Sequence, residues 1–149
     1  MGQRKFREVL NAPFFNGVQP FLSTAATIAN RVVKMGAVAG TVKHTTGTSG
    51  RIVLGVALNA TTGGGKRVMV QMDGVATIVA STRAIAAGAP VRATSGSAST
   101  ASFAGGTVRQ ATGNVVNSVG LALTSCAAAA TIRTISVKLA PTYNNASVL

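Results

Sequence analysis

Residues 52–80 constrain the fold more than any other stretch of this chain. Residues 52–58 form an apolar run around a glycine, and a polar, glycine-rich loop follows it. Residues 68–72 then alternate between two sets of side chains, the period-2 pattern of a β-strand. The pair Asp73 and Gly74 separates this run from a further apolar run, which predicts a type I′ hairpin turn. We therefore expect an antiparallel meander at the centre of the chain.

The remainder of the chain repeats the same kind of signal. Short apolar runs recur about every ten residues and amount to about eight strands, a spacing typical of an all-β sandwich or barrel. The segments at 107–111 and 115–123 predict another hairpin across the intervening TGN. Beyond residue 21, Val, Ile, Leu and Ala must do nearly all the packing, which favours a thin structure. We predict a small antiparallel β-barrel or sandwich with an extended N-terminal arm.

Two short segments of the chain resemble each other. GVAL at 55–58 and GLAL at 120–123 each precede a small-residue loop, a basic residue and an alternating strand. This similarity suggests two related strand–loop–strand units. Matches of this length also arise by chance in a chain rich in Val and Ala, so duplication and coincidence both remain open.

The composition divides the chain into an arm at 1–30, a β domain at 31–140 and a polar, flexible tail at 141–149. Prolines interrupt the arm every few residues, so no long helix fits it. Its aromatic residues either cap the core of their own domain or dock on a neighbouring molecule, and we favour docking. The predicted partner-binding residues are Arg4, Lys5, Phe6, Arg7, Phe14, Phe15 and Phe21.

The charge balance indicates an anionic partner. The chain has 14 Lys and Arg residues against two acidic residues, a formal net charge of +12. Nucleic acid, an acidic membrane surface and an acidic protein surface would each suit this charge. From Arg31 onward the cations are scattered singly, apart from Lys66 and Arg67, and no aromatics accompany them in the strands. A nucleic-acid-binding β-barrel is therefore the alternative rather than the main interpretation.

Catalytic residues are scarce in this sequence. Glu8 and Asp73 are the two acidic residues, and a paired-carboxylate site would need both in one pocket. Cys126 adjoins a run of alanines, typical of an inert buried thiol, and His44 lies in a polar loop. We expect no enzyme activity, no cofactor and no metal site. The start of the chain lacks the apolar core of a signal peptide, and no segment suits a membrane span.

The glycine-rich turn patterns resemble the capsid decoration, or cement, proteins of tailed bacteriophages. The matching segments are GVALNATTGGGKRVMVQMDGVATI, IAAGAPVRATSG and VGLALTSCAAAATIRTISVKL. The resemblance implies a small β-barrel-like domain that binds the outer surface of a capsid, contacts the major capsid protein and stabilises the shell. It also implies a homotrimer located on the virion, and the lack of a signal peptide favours assembly in the host cytoplasm. The basic charge and the aromatic N-terminal segment depart from the usual pattern.

Overall fold

The computed structural model describes residues 17–45, 53–94, 105–112 and 118–140, and these residues form ten strands and no helix. The all-β prediction is therefore confirmed. The strands are β1 (Val18–Ser23), β2 (Arg31–Met35), β3 (Thr41–His44), β4 (Val53–Ala57), β5 (Arg67–Gln71), β6 (Val75–Ala80), β7 (Pro90–Ala93), β8 (Val108–Gln110), β9 (Ser118–Ala122) and β10 (Arg133–Leu139).

The strands close into two five-stranded barrels. The order around barrel 1 is β1-β3-β2-β4-β5, and the order around barrel 2, started at β6, is β6-β8-β7-β9-β10. In each barrel the first strand pairs with the third in parallel, and every other pairing is antiparallel. Barrel 2 thus repeats the topology of barrel 1 strand for strand.

The repeat extends to single residues. The register of the second strand against the fourth shifts after Val33 in barrel 1 and after Val91 in barrel 2. Isolated bridges join Thr27 to Thr61 and Ile85 to Cys126 at matching points. The similar segments GVAL and GLAL lie at corresponding places on β4 and β9. One β-barrel unit therefore occurs twice in the chain, although few residue identities record it.

Small and β-branched side chains fill both interiors, as narrow barrels require. The core of barrel 1 contains Val33, Val42, Ala57, Val68 and Val70, with Phe21, Leu54 and Met72 packed against it. The core of barrel 2 is larger and includes Ile78, Ile85, Val91, Val108, Val119, Ile135 and Val137. By register, Ile78 and Leu139 of barrel 2 occupy the places of Phe21 and Met72 in barrel 1.

The two barrels share one apolar cluster. Val32 and Val56 pair with each other across β2 and β4, and both belong to the cluster of barrel 2 rather than to that of barrel 1. Since neighbouring strand residues point to opposite faces, Val33 fills barrel 1 while Val32 points outward against barrel 2. Backbone hydrogen bonds reinforce the contact: the Val79 N–H donates to the Asn30 carbonyl at 3.0 Å, and the Val32 N–H donates to the Gly106 carbonyl at 2.7 Å.

Glycine is required where the fourth and fifth strands of each barrel cross closely. A Cβ atom at Gly55 would lie 2.2 Å from the Gln71 carbonyl oxygen, and one at Gly120 would lie 1.9 Å from that of Lys138. These separations are too short for any side chain, and the blocking atoms belong to backbone. The same steric requirement thus recurs at the same point of both barrels.

The prediction of a central meander is half right. β4 and β5 pair as an antiparallel hairpin, but β5 and β6 lie in different barrels. Asp73 and Gly74 therefore connect the barrels instead of closing a hairpin. Gly74 has the positive φ that the sequence indicates, at 80°. A type I′ turn also needs positive φ at Asp73, but among the described non-glycine residues only Asn30 has it. The turn is therefore not type I′.

Two further sequence expectations differ from the structure. The expected hairpin of 107–111 with 115–123 does not form, because β7 lies between β8 and β9 and pairs with both. β1 begins at Val18, inside the segment expected to be an arm, and pairs with β3 and β5. Barrel 1 needs this strand to close, so the strand structure starts well before residue 31. The rest of the expected arm, residues 1–16, and the tail from 141 lie outside the described residues.

Candidate interaction surfaces

The residues predicted to bind a partner fall into two groups. Phe21 lies in β1, is half-buried, and packs against the core of barrel 1. Its place corresponds to that of Ile78 on β6, which is wholly buried in barrel 2. Phe21 is therefore a core residue of its own barrel. The other six lie outside the described residues: Arg4, Lys5, Phe6, Arg7, Phe14 and Phe15.

Three arginines converge on barrel 2. Arg92 on β7 and Arg109 on β8 lie directly opposite each other, and Arg83 lies nearby in the loop after β6. Burial lowers the pKa of the Arg109 guanidinium, and the positive charges of Arg92 and then Arg83 lower this pKa further. A cavity of about 210 Å³ opens here, lined by Arg83, Ala84, Arg109, Gln110 and Thr112. We call this group the arginine cluster: Arg83, Arg92 and Arg109.

The arginine cluster has almost no acidic residue in the chain to neutralise it. The sequence contains only Glu8 and Asp73, and Asp73 accepts the Gly74 N–H at 2.7 Å in the connection between the barrels. The Nε atoms of Arg92 and Arg109 are buried and have no hydrogen-bond partner. Like charges directly opposite each other destabilise a sheet. The arrangement therefore favours an anion supplied by another molecule.

Four of the other described cations, Arg31, Lys66, Arg67 and Arg133, have surroundings of their own. Lys66 and Arg67 line an open pocket of about 350 Å³ on barrel 1, together with Thr61 and Thr62. Arg31 is buried and donates from Nη1 to the Gly105 carbonyl at 3.1 Å. Arg133 donates from Nη2 to the Ser81 carbonyl. Arg31 and Arg133 thus hold loops through these hydrogen bonds, although the buried Nε and Nη1 of Arg133 have no hydrogen-bond partner.

His44 has a structural role. Its Nε2 accepts the backbone N–H of Ile28 at 3.0 Å. At the matching point of barrel 2, the Oε1 of Gln110 accepts the N–H of Ala86 at 3.2 Å. Burial lowers the pKa of His44, and the charge of Arg31 adds to this effect. The neutral imidazole is therefore the form that the fold uses.

Chemistry-bearing groups do not gather elsewhere among the described residues. Cys126 is half-buried and forms the bridge to Ile85. Across ranges 17–45, 53–94, 105–112 and 118–140, no three His, Cys, Asp or Glu side chains come close enough to hold a metal ion. In the same ranges no helix has the length and apolarity to cross a membrane.

Sequence reasoning missed the arginine cluster and most of the repeat. Arg92 and Arg109 are separated by a low-complexity stretch of sequence, and the register of β7 against β8 brings them together. The available signal was the GVAL and GLAL similarity, because two copies of one unit place Arg92 and Arg109 where Lys34 and Lys43 pair in barrel 1.

Comparison with known proteins gives one family. The family model described as phage cement protein matches residues 18–139, which run from the first described strand to the last. A search of curated proteins finds no match to the chain. The matched span includes the arginine cluster and both barrels, and it begins after the basic and aromatic segment at the N-terminus.

Proposed function

This chain belongs to the phage cement protein family, structural proteins of the phage virion, and from that premise we propose that it binds the outer surface of a capsid and stabilises the shell. The observation that carries the proposal is the family match across both barrels. Assembly in the host cytoplasm, without any catalytic step, is part of the same proposal. The family is not a class of enzymes.

We propose that the partner is the major capsid protein, through an acidic part of its outer surface. The arginine cluster supports this partner because its like charges are held together with unpartnered Nε atoms. A second copy of the chain offers too few acidic groups, since each copy has only two. Arginine forks match carboxylates in two parallel hydrogen bonds, so acidic side chains suit the cavity beside Arg83 and Arg109.

The N-terminal segment is the second proposed attachment. Phe6 lies within the basic cluster at residues 4–7, and Phe14 and Phe15 follow it before β1. Buried Phe side chains can each stabilise a contact by about 1.5–3 kcal/mol, and salt does not weaken this term. We propose that residues 1–16 and the arginine cluster hold the protein on the capsid, while the exposed charges of the barrels steer its approach.

A homotrimer is the proposed oligomeric state. Large exposed apolar side chains on both barrels support self-association, and they include Leu22, Val38, Val75 and Leu121. Burying such side chains between copies would add apolar contact that a thin, aromatic-poor core lacks. Three copies also suit a shell in which threefold positions recur.

Co-sedimentation distinguishes this function from its alternative. Capsids assembled without the protein are mixed with purified protein and pelleted, and parallel samples contain double-stranded DNA instead. We expect saturable binding to capsids and a raised temperature of capsid disruption. Binding to DNA alone, with a steep linear fall in log affinity against log salt concentration, would instead establish the nucleic-acid-binding alternative, because such a fall reflects counterion release.

A further inference from the structure

The barrels of one chain contact each other through two different faces. Barrel 1 contributes the outer side of β2 and β4, where Val32 and Val56 lie; we call this the donor face. Barrel 2 contributes Val79 at the end of β6 and the loop at Gly106, which we call the acceptor face, and its strand β9 also lies close to β4. Because barrel 2 repeats barrel 1, each barrel has both faces. One acceptor face and one donor face therefore remain unused in every chain.

The unused donor face lies on barrel 2. Leu121 corresponds to Val56 and Pro90 corresponds to Val32, since each pair occupies the same register between the second and fourth strands. Val56 is 0% exposed, whereas Leu121 is 43% exposed, and Pro90 is also exposed. Barrel 2 therefore presents an apolar surface at the place that barrel 1 buries.

The unused acceptor face lies on barrel 1. Leu22 corresponds to Val79 by its register against the fifth strand, yet Leu22 is 50% exposed and Val79 is 6% exposed. Gly40 corresponds to Gly106, and both have positive φ. A Cβ atom at Gly106 would lie 2.8 Å from the Cβ of Arg31 in barrel 1, whereas one at Gly40 would meet nothing within 4 Å.

We propose that copies of this chain associate head to tail, with Leu22 of one copy packed against the Leu121 surface of the next. The contact repeats the part of the intrachain contact that Val79 and Gly106 make, without the approach of β9 to β4, because barrel 2 already covers the outer side of β4 in every copy. A second copy is the occupant because each exposed surface corresponds to a surface that already fits the other. Such a contact joins different faces, so it closes into a ring when the rotation allows, and three copies form a ring of six barrels. This contact rests on the homotrimer proposed above and is the one that would join its copies.

The contact between copies is weaker than the contact within a chain. The Val79 N–H bonds to Asn30 of the other barrel, but the Leu22 N–H already bonds to the Gly40 carbonyl of its own barrel. The contact between copies therefore lacks this backbone hydrogen bond. The net charge of +12 on each copy opposes association at low salt. Self-association therefore increases with salt, the reverse of what attachment through charge predicts.

Two substitutions with matched controls test the proposal in solution, without capsids. Leu22→Asp disables the acceptor face and Leu121→Asp disables the donor face. Ile28→Asp and Leu123→Asp are the controls, because these residues are comparably exposed and the residues that correspond to them, Ala86 and Leu58, stay exposed at the contact within the chain. Mass is measured by sedimentation in about 1 M salt, where the Debye length falls to about 3 Å.

We expect the wild type and both controls to form the closed oligomer, and each of the two Asp variants alone to be monomeric. An equimolar mixture of Leu22→Asp and Leu121→Asp retains one intact acceptor face and one intact donor face, so it stops at dimers. Unchanged melting temperatures confirm that the variants fold. A monomeric wild type at the highest attainable concentration overturns the proposal, as does a mixture that stays monomeric. Capsid binding is measured separately, so its failure leaves this result interpretable.

Discussion

The Nε2 atom of His44 and the Oε1 atom of Gln110 accept the same backbone hydrogen bond in the two barrels, from Ile28 and Ala86 respectively. Two different side chains at the end of the third strand thus accept a hydrogen bond from corresponding backbone N–H groups. Only the imidazole loses its acceptor when it is protonated. Barrel 1 therefore carries a pH dependence that barrel 2 lacks.

Stability should fall in acid because of His44. Burial lowers its pKa in the folded chain below the ordinary value of 6.5, so the unfolded chain binds the proton more readily. The stabilisation is complete above about pH 6.5 and is lost as the pH falls toward the folded-state pKa. Denaturant melts across this range measure it. His44→Gln, which copies barrel 2, should be as stable as wild type at pH 8 and lose less stability in acid; equal losses would contradict the assignment.

Gly120→Ala should be strongly destabilising. The new Cβ would meet the Lys138 backbone, so β9 or β10 must move, and such overpacking costs about 1–3 kcal/mol or more. Gly63→Ala is the control, since nothing lies within 4 Å of its added Cβ. Chemical denaturation of both variants checks the difference. Equal midpoints would show that the strands do not cross as closely as described.

Arg109→Gln should lower the affinity for capsids without lowering the stability of the fold. Removing one of two opposed charges relieves a repulsion of about 0.2–1 kcal/mol, so the variant melts at the same temperature as wild type or slightly higher. Capsid affinity should drop by about tenfold or more, because a hydrogen bond to a charged group contributes about 1.5–3 kcal/mol. Lys138→Gln removes the same charge at an exposed site and serves as the control. Equal capsid affinities of the two variants would exclude the arginine cluster from docking.

Deletion of residues 1–16 should release the protein from capsids, whereas salt should mainly slow its attachment. Exposed charges are screened beyond about 8 Å at physiological ionic strength, so they govern encounter more than retention. Rates of attachment and release at several salt concentrations measure the two effects. A truncated chain that stays bound in dilute buffer but leaves in moderate salt would show that electrostatic attraction is the holding force. β1 is retained in this deletion, so barrel 1 can still close.

The sequence predicted local structure better than pairing. Alternation at 68–72 identified the strand that the structure shows as β5, and the Asp-Gly pair indicated positive φ at Gly74. Turn chemistry acts over a few residues, however, and it cannot tell whether the chain returns to the same sheet or starts another barrel. The second barrel could not be recognised in the sequence, because a β core restricts the size and shape of its side chains more than their residue types. Phe21 and Ile78 illustrate this, since they fill the same place in the two barrels.

The closed order of the ten strands also governs how the protein behaves when many copies crowd together. Each described strand has a neighbour on both sides, so the barrels present no free strand edge to another chain. Open edges are what allow sheets to fuse laterally into aggregates. The described strands of one copy can therefore meet another copy only through side chains and loops, so they cannot extend into one continuous sheet that runs from copy to copy.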